Sequence, residues 1–173
     1  MEIIPIFEEN LYATKYSGES KDELERLFDL WDDIEHLNEF FEEHEADLGY
    51  FKLSIEQAVQ ETRKEAEKLS DALFNALSES PVQLETLFRN LDNKEIQTIS
   101  LSKQKSKRRW LRLYAIRIDK DVYLITGGAI KLTHKMDERE HTDNELSKLE
   151  ICKSYLQENN VFDDDSFKEM LNE

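Results

Sequence analysis

The chain has one cysteine, Cys152. That excludes an intrachain disulfide framework and fits a reducing, cytoplasmic compartment. Its place in a helical apolar stripe predicts a small packed side chain, not a nucleophile. Two prolines and four glycines in 173 residues argue against a flexible string of domains, and the length suits a single domain over 1–173. No apolar run approaches the ~20 residues of a membrane span. The opening MEIIPIFEENLY carries acids early and no basic stretch, so it is not expected to act as a signal peptide. A Gly-rich phosphate loop, G-x-S-x-G, C-x-x-C and H-E-x-x-H are all missing, and no cofactor is expected. Basic residues are outnumbered 23 to 39, for a net charge of −16. Such a molecule is repelled from phosphate over most of its surface. That excludes broad coating of nucleic acid and binding to an anionic membrane.

The basic residues that are present are not scattered. Eleven of the 23 Lys and Arg, but only four of the 39 Asp and Glu, fall within residues 97–139. A cationic cluster on a sheet is the electrostatic footprint of a polyanion site. It is equally the footprint of an island that neutralises the acidic helices of its own fold.

Along the chain, residues 3–16 are β-branched and aromatic and predict a bent strand or hairpin, with Pro5 at an edge. A capping box from Ser20 to Glu23 predicts a helix from about Lys21. Leu24, Leu27, Phe28, Trp31, Ile34, Leu37 and Phe41 form one apolar stripe, ended by Gly49. Ser54 and Gln57 form a second box and predict a helix over 55–78. Ser80 and Pro81 read as the N-cap and first position of a further helix, with Leu84, Leu87, Phe88 and Leu91 inward. The helical region thus covers 21–91. From Ile96 the period changes to two. Residues 110–118 alternate, with Leu111, Leu113 and Ala115 on one face and Trp110, Arg112, Tyr114 and Ile116 on the other. Asp119, Lys120 and Asp121 predict a hairpin turn into 122–126, and Gly127-Gly128 a second tight turn into 129–133. Thr142 and Glu145 predict a helix whose apolar set is Leu146, Leu149, Ile151, Cys152, Tyr155 and Leu156. Asp163, Asp164 and Asp165 open a short last helix. The order is α+β, with helices on one face of an antiparallel sheet. The helix from about Asp143 is expected on the Leu111, Leu113 and Ala115 face, and the basic face is expected to stay open.

The island holds the residue types that RNA cleavage by the 2′-hydroxyl requires. Arg112 and Lys131 are placed to neutralise charge at the phosphate. His134 ends the last strand with Lys135 beside it, and imidazole suits both proton transfers. Trp110 and Tyr114, on the face of Arg112, are placed to stack bases. Lys103, Lys105, Lys107, Arg108, Arg109 and Arg117 complete the candidate RNA-binding set. Each also has an ordinary reading: core aromatics, arginines paired with carboxylates, a solvated strand end. Glu138 and His141 have E-x-x-H spacing, loosely echoed by Asp33 and His36. A di-iron site needs two such motifs and two further glutamates on inward-facing helices, so no metal is expected.

The stretch WLRLYAIRIDKDVYLITGGAIKLTHKM, followed by the helix beginning near Glu145, resembles the C-terminal half of RelE/HigB-type toxins, closest to their phage-derived Gp49-like branch. An Arg/Tyr strand leads into a hairpin; a third strand begins near Gly128 and runs through Lys131 and Thr133 to Lys135. The resemblance spans residues 96–158. It implies a RelE-like antiparallel sheet, made of an N-terminal strand and a three-stranded meander, with an enlarged helical region at 21–91. It implies the toxin of a type II toxin–antitoxin pair, a metal-independent endoribonuclease of a kind that cuts mRNA, usually at the ribosome, and is silenced by a helix-turn-helix or other small antitoxin. Arg112, Tyr114, Lys131, His134 and Lys135 fall on the family's basic face or tail. The competing expectation is a non-enzymatic module that keeps the RelE-like sheet and binds a basic protein partner through its acidic helices.

Overall fold

The computed structural model describes residues 1–91, 101–107 and 109–173. Strands β1 (Glu2–Phe7) and β2 (Leu11–Lys15) form the N-terminal hairpin. Pro5 lies in β1, the outermost strand, where a missing N–H leaves no ladder bond unmade.

The apolar stripe after it is two helices rather than one, α1 (Glu23–Asp32) and α2 (Ile34–Glu43). Asp33 adopts extended backbone between them, and its carboxylate accepts the His36 N–H at 3.1 Å. A short polar side chain competing for backbone donors ends one helix and caps the next. The first helix also starts later than expected, capped by Asp22 rather than Ser20. A four-residue helix α3 (Glu45–Leu48) runs into a 3-10 turn, Gly49–Phe51. Helix α4 (Ile55–Ser78) begins at the Ser54/Gln57 capping box, as the sequence predicts.

Residues 81–91 form no α-helix. A 3-10 turn (Leu84–Thr86) leads into β3 (Phe88–Asn90), which pairs with β4 (Ser102–Lys107). Phe88 stacks on Tyr123 at 4.8 Å; this cross-strand packing overrides helical spacing in a short segment. The meander continues through β5 (Leu111–Asp119) and β6 (Val122–Ile130), joined at the predicted Asp119–Asp121 turn. The predicted strand onset at residues 96–100 lies outside the described residues. Gly127 and Gly128 are not a turn. Both sit inside β6, facing Tyr114 and Leu113. A Cβ on Gly128 would lie 2.7 Å from the Arg112 carbonyl oxygen and 2.9 Å from Leu27, and one on Gly127 would fall on the Glu145 carboxylate. Glycine is required here for close approach, not for chain reversal. Helix α5 (Glu140–Glu158) starts before Thr142, whose hydroxyl lies in its first turn and donates to the Arg139 carbonyl at 3.0 Å. Helix α6 (Asp164–Asn172) is capped by Asp163.

The six strands of the described residues form one sheet in the order β1-β2-β6-β5-β4-β3. It is mixed, since β2 and β6 run parallel. Both faces are covered, which corrects the expectation of helices on one. On one side Leu111, Leu113 and Ala115 join Leu27, Trp31, Leu37, Phe41, Leu69 and Leu73 of α1, α2 and α4. On the other, Tyr114, Ile116, Ile118 and Leu124 meet Leu149, Cys152 and Leu156 of α5 and Phe167 of α6. Helix α5 therefore packs on the face opposite the one expected. Its inward set is Thr142, Glu145, Leu149, Cys152 and Leu156, while Ile151 and Tyr155 turn outward. With both faces apolar, β5 is enclosed on each side, and each fully buried large side chain contributes about 1.5–3 kcal/mol. Among the described residues, no helix is long and apolar enough to cross a membrane.

Candidate functional site

At the end of the sheet where β5 begins and β6 ends, a cleft of about 460 Å³ opens to solvent. Arg109 and Arg112, at the start of β5, line it together with two segments distant in sequence from each other. One is the α3 turn from Ala46 to Phe51; the other is the bend that follows β6, from Lys131 to Arg139. Arg139 joins them, with its Nε–H donating to Asp47 Oδ2 at 2.7 Å and a second bond from Nη2 to Oδ1. This fork-on-carboxylate geometry fixes orientation as well as distance. It holds the Asp47 carboxyl below the usual carboxylate range. The bend is also tied internally. The Lys131 N–H donates to the Trp110 carbonyl at 2.8 Å, extending the ladder by one residue. Its ammonium donates to the His134 carbonyl, and the Lys135 N–H to Glu138 Oε1 at 3.0 Å.

The cleft gathers four of the predicted site residues, Arg109, Arg112, Lys131 and His134, and adds Arg139. Against these stand two lining carboxylates, Asp47 and Glu138, so permanent cations exceed anions locally in a chain of net charge −16. Arg112 is only 8% exposed. Its Nη1–H donates to the Leu111 carbonyl at 3.0 Å, and burial lowers its pKa. Arg109 is exposed, 3.5 Å from the Glu61 carboxylate, with its guanidinium 5.0 Å from the Trp110 ring. His134 is exposed.

The other predicted residues lie elsewhere. Trp110 is fully buried and donates its indole N–H to Thr62 at 2.9 Å, so it is a core residue and not an open stacking surface. Tyr114 is likewise enclosed beneath α5, its hydroxyl donating to the Met136 sulfur. Burial raises its pKa above the usual tyrosine value. Neither has the open face that strand parity suggested: α5 covers Tyr114, while Trp110 packs on the opposite side of the sheet against Phe41 of α2 and Thr62 of α4. Lys135 is exposed on the same bend but does not line the cleft. Lys103 pairs with Glu150 of α5, and Lys105 donates to the Leu91 carbonyl at 3.5 Å. Arg117 pairs with Glu85 at 2.9 Å, five residues along β5 from Arg112, or about 17 Å. Arg108 and the Lys107 side chain lie outside the described residues. The basic island is thus divided among the cleft, the α5 side and the far end of β5.

Asp47, Tyr50 and Arg139 of the cleft were not singled out from the sequence. Tyr50 and Asp47 belong to a short turn without hydrophobic periodicity. Arg139 carried a signal, as the last basic residue of the island. Behind it the His44 and His141 rings lie 4.8 Å apart, and His141 Nε2 is 2.7 Å from the Ile130 carbonyl. Burial, and then His141, lower the His44 pKa.

A second polar cluster sits where β6 runs on past its pairing with β2, which ends at Ala13 and Ile125. Helices α1 and α5 meet there. Glu23 accepts a paired contact from Arg26 at 2.7 and 2.8 Å. Lys148 bridges Glu23 at 3.3 Å and Glu145 at 3.1 Å. Glu145 Oε2 is buried without a hydrogen-bond partner. Burial, opposed by Lys148, pushes the Glu145 carboxyl up to about 7. Nearby, burial pushes the Cys152 thiol up to about 11, so it is protonated and unreactive at neutral pH. Among the described residues, no group of three or more His, Cys, Asp or Glu is placed to hold a metal. Comparison with protein-family models, curated proteins and solved structures finds no match to this chain.

Proposed function

We propose that this cleft binds the backbone of RNA and that the protein is an mRNA-cleaving endoribonuclease, the toxin of a type II toxin–antitoxin pair. The observation carrying the proposal is the convergence of Arg109, Arg112, Lys131, His134 and Arg139 on one opening of an otherwise acidic molecule. Cations confined to a cleft focus the field on a single point of an incoming polyanion. The resemblance of residues 96–158 to RelE/HigB-like toxins points to the same chemistry.

In this reading Arg112 and Lys131 hold the scissile phosphate. The buried guanidinium of Arg112 gains most from an anion, because it has already lost water. His134 takes the proton of the 2′-hydroxyl as that oxygen bonds to phosphorus. The bond to the 5′-oxygen breaks, and the same proton returns to that leaving oxygen. Products are a 2′,3′-cyclic phosphate and a 5′-hydroxyl, with no net proton change and no metal.

The alternative is a binding module in which the covered sheet is a scaffold and the acidic helices hold a basic partner. Its support is that α1, α2 and α4 close the sheet face on one side and α5 closes the other. Inducing expression with and without a neighbouring helix-turn-helix gene, and incubating the purified protein with RNA on translating ribosomes, separates the two. Growth arrest with cut mRNA is expected. A protein that arrests nothing and cuts nothing is the scaffold.

A further inference from the structure

We infer that Tyr50 is the surface on which the cleft stacks an unpaired nucleobase, so that the RNA it takes is single-stranded. This rests on the cleft being the RNA site proposed above. Tyr50 is 81% exposed, the highest value among the exposed large hydrophobic side chains of the fold, and it lines the cationic cleft. It is held, not loose. Its ring meets Phe51 edge-on at 5.7 Å, Phe51 meets Trp110 edge-on at 5.3 Å, and Trp110 leans on Phe41 at 5.6 Å. Four rings thus run from the core to the cleft: Phe41 and Trp110 are buried, Phe51 is half-buried and Tyr50 is exposed. The backbone beneath is fixed as well. Lys52, in the left-handed region with φ of +55°, closes the 3-10 turn by donating its N–H to the Gly49 carbonyl at 3.2 Å.

An exposed aromatic ring beside fixed cations matches two parts of one nucleotide. The cations take its phosphate, and the ring takes the face of its base, whatever the base is. Paired bases in a duplex have no free face to offer, so the arrangement selects single strands. The guanidinium of Arg109, 6.0 Å from the Phe51 ring, places a cation along the same row of rings.

The test is fluorescence anisotropy of the full chain with a 5′-labelled ten-nucleotide RNA, alone and annealed to its complement. The single strand should bind more tightly than the duplex. Tyr50→Ala should weaken single-strand binding on the order of tenfold, with duplex binding unchanged, while Tyr50→Phe stays within about twofold of wild type because the ring, not the hydroxyl, does the stacking. Circular dichroism melts confirm that these exposed-site variants fold. If Tyr50→Ala binds the single strand like wild type while Lys131→Gln is weakened, the cleft binds RNA but Tyr50 is not its platform. If wild type binds neither probe, the site proposal falls and this one with it. If polyglutamate competes as well as RNA and Tyr50→Ala changes neither, the cleft takes acidic chains by charge alone and stacking is wrong.

Discussion

Arg139 and Asp47 are 92 residues apart in sequence and share a two-point contact across the mouth of the cleft. It is the one charged tie between the α3 turn and the bend after β6 among the described ion pairs. Removing either partner should loosen the bend without unfolding the molecule. Arg139→Gln and Asp47→Asn are each expected to speed amide hydrogen exchange at residues 131–138, and the double variant should add little to either. Arg139→Lys should not restore protection, because a point charge cannot reproduce the fork. Equal exchange in wild type and Arg139→Gln would show that the bend holds itself. Since Arg139 depresses the Asp47 pKa, the tie should be intact at neutral pH and be lost only on acidification through that lowered pKa.

His134 and Arg112 should separate by phenotype. His134 is exposed, so His134→Ala should leave the melting temperature unchanged and, under the proposed function, lower RNA cleavage by about a hundredfold to ten-thousandfold. Arg112 is buried, and truncating it to alanine removes packing as well as charge. Arg112→Lys is the cleaner probe. It should keep the fold and lose roughly 2–4 kcal/mol of barrier lowering. Full cleavage by His134→Ala would move the proton role to Lys131 or Lys135.

Glu145 should make stability depend on pH in an unusual direction. Its carboxyl is raised to about 7 in the fold, above its value in the unfolded chain, so the native state holds the extra proton. That contribution is fully present below the unfolded pKa and is lost as pH rises through about 7. The loss is about 1.4 kcal/mol for each unit between the two values, a few kcal/mol at most. Urea midpoints should therefore fall between pH 5 and pH 8 through this group. Glu145→Gln, a neutral isostere, should flatten that dependence and raise the pH 8 midpoint. A variant with the wild-type slope would place the effect elsewhere.

Gly128→Ala should be strongly destabilising. The new methyl would meet backbone oxygen of Arg112 and side chains of Leu27 and Trp31, and backbone in mid-sheet cannot step aside. A cost of about 1–3 kcal/mol is expected from overpacking, read as a lower thermal midpoint. An unchanged midpoint would mean that α1 can shift outward from β6.

These same residues mark what a reader of the sequence could and could not see. Ser54 and Gln57 specify the start of α4 by a contact three residues long, and such local signals are legible. The turn at Asp119–Asp121 is equally local. Gly127-Gly128 misleads because a glycine pair signals a turn unless one knows that Glu145 and Leu27 press on it from either side. The two covered faces had a signal that parity alone did not weigh. Tyr114, Ile116 and Ile118 oppose Leu111, Leu113 and Ala115, so β5 is apolar on both sides, as a buried strand is. Arg112, Lys131 and His134 were legible as a group because they flank one strand end. Tyr50 and Asp47 were not, since nothing within their own turn indicates that it lies against the bend at 131–139.

The parallel pairing of β2 with β6 sets a timetable for the nascent chain. The Thr14 hydroxyl bonds to the Ile125 carbonyl, 111 positions later. At about 5–20 residues per second of translation, the N-terminal hairpin waits roughly 6–20 s for its neighbour. The second wall of the cleft, residues 131–139, is made only after that neighbour. The cleft is therefore not complete until most of the chain has been polymerised.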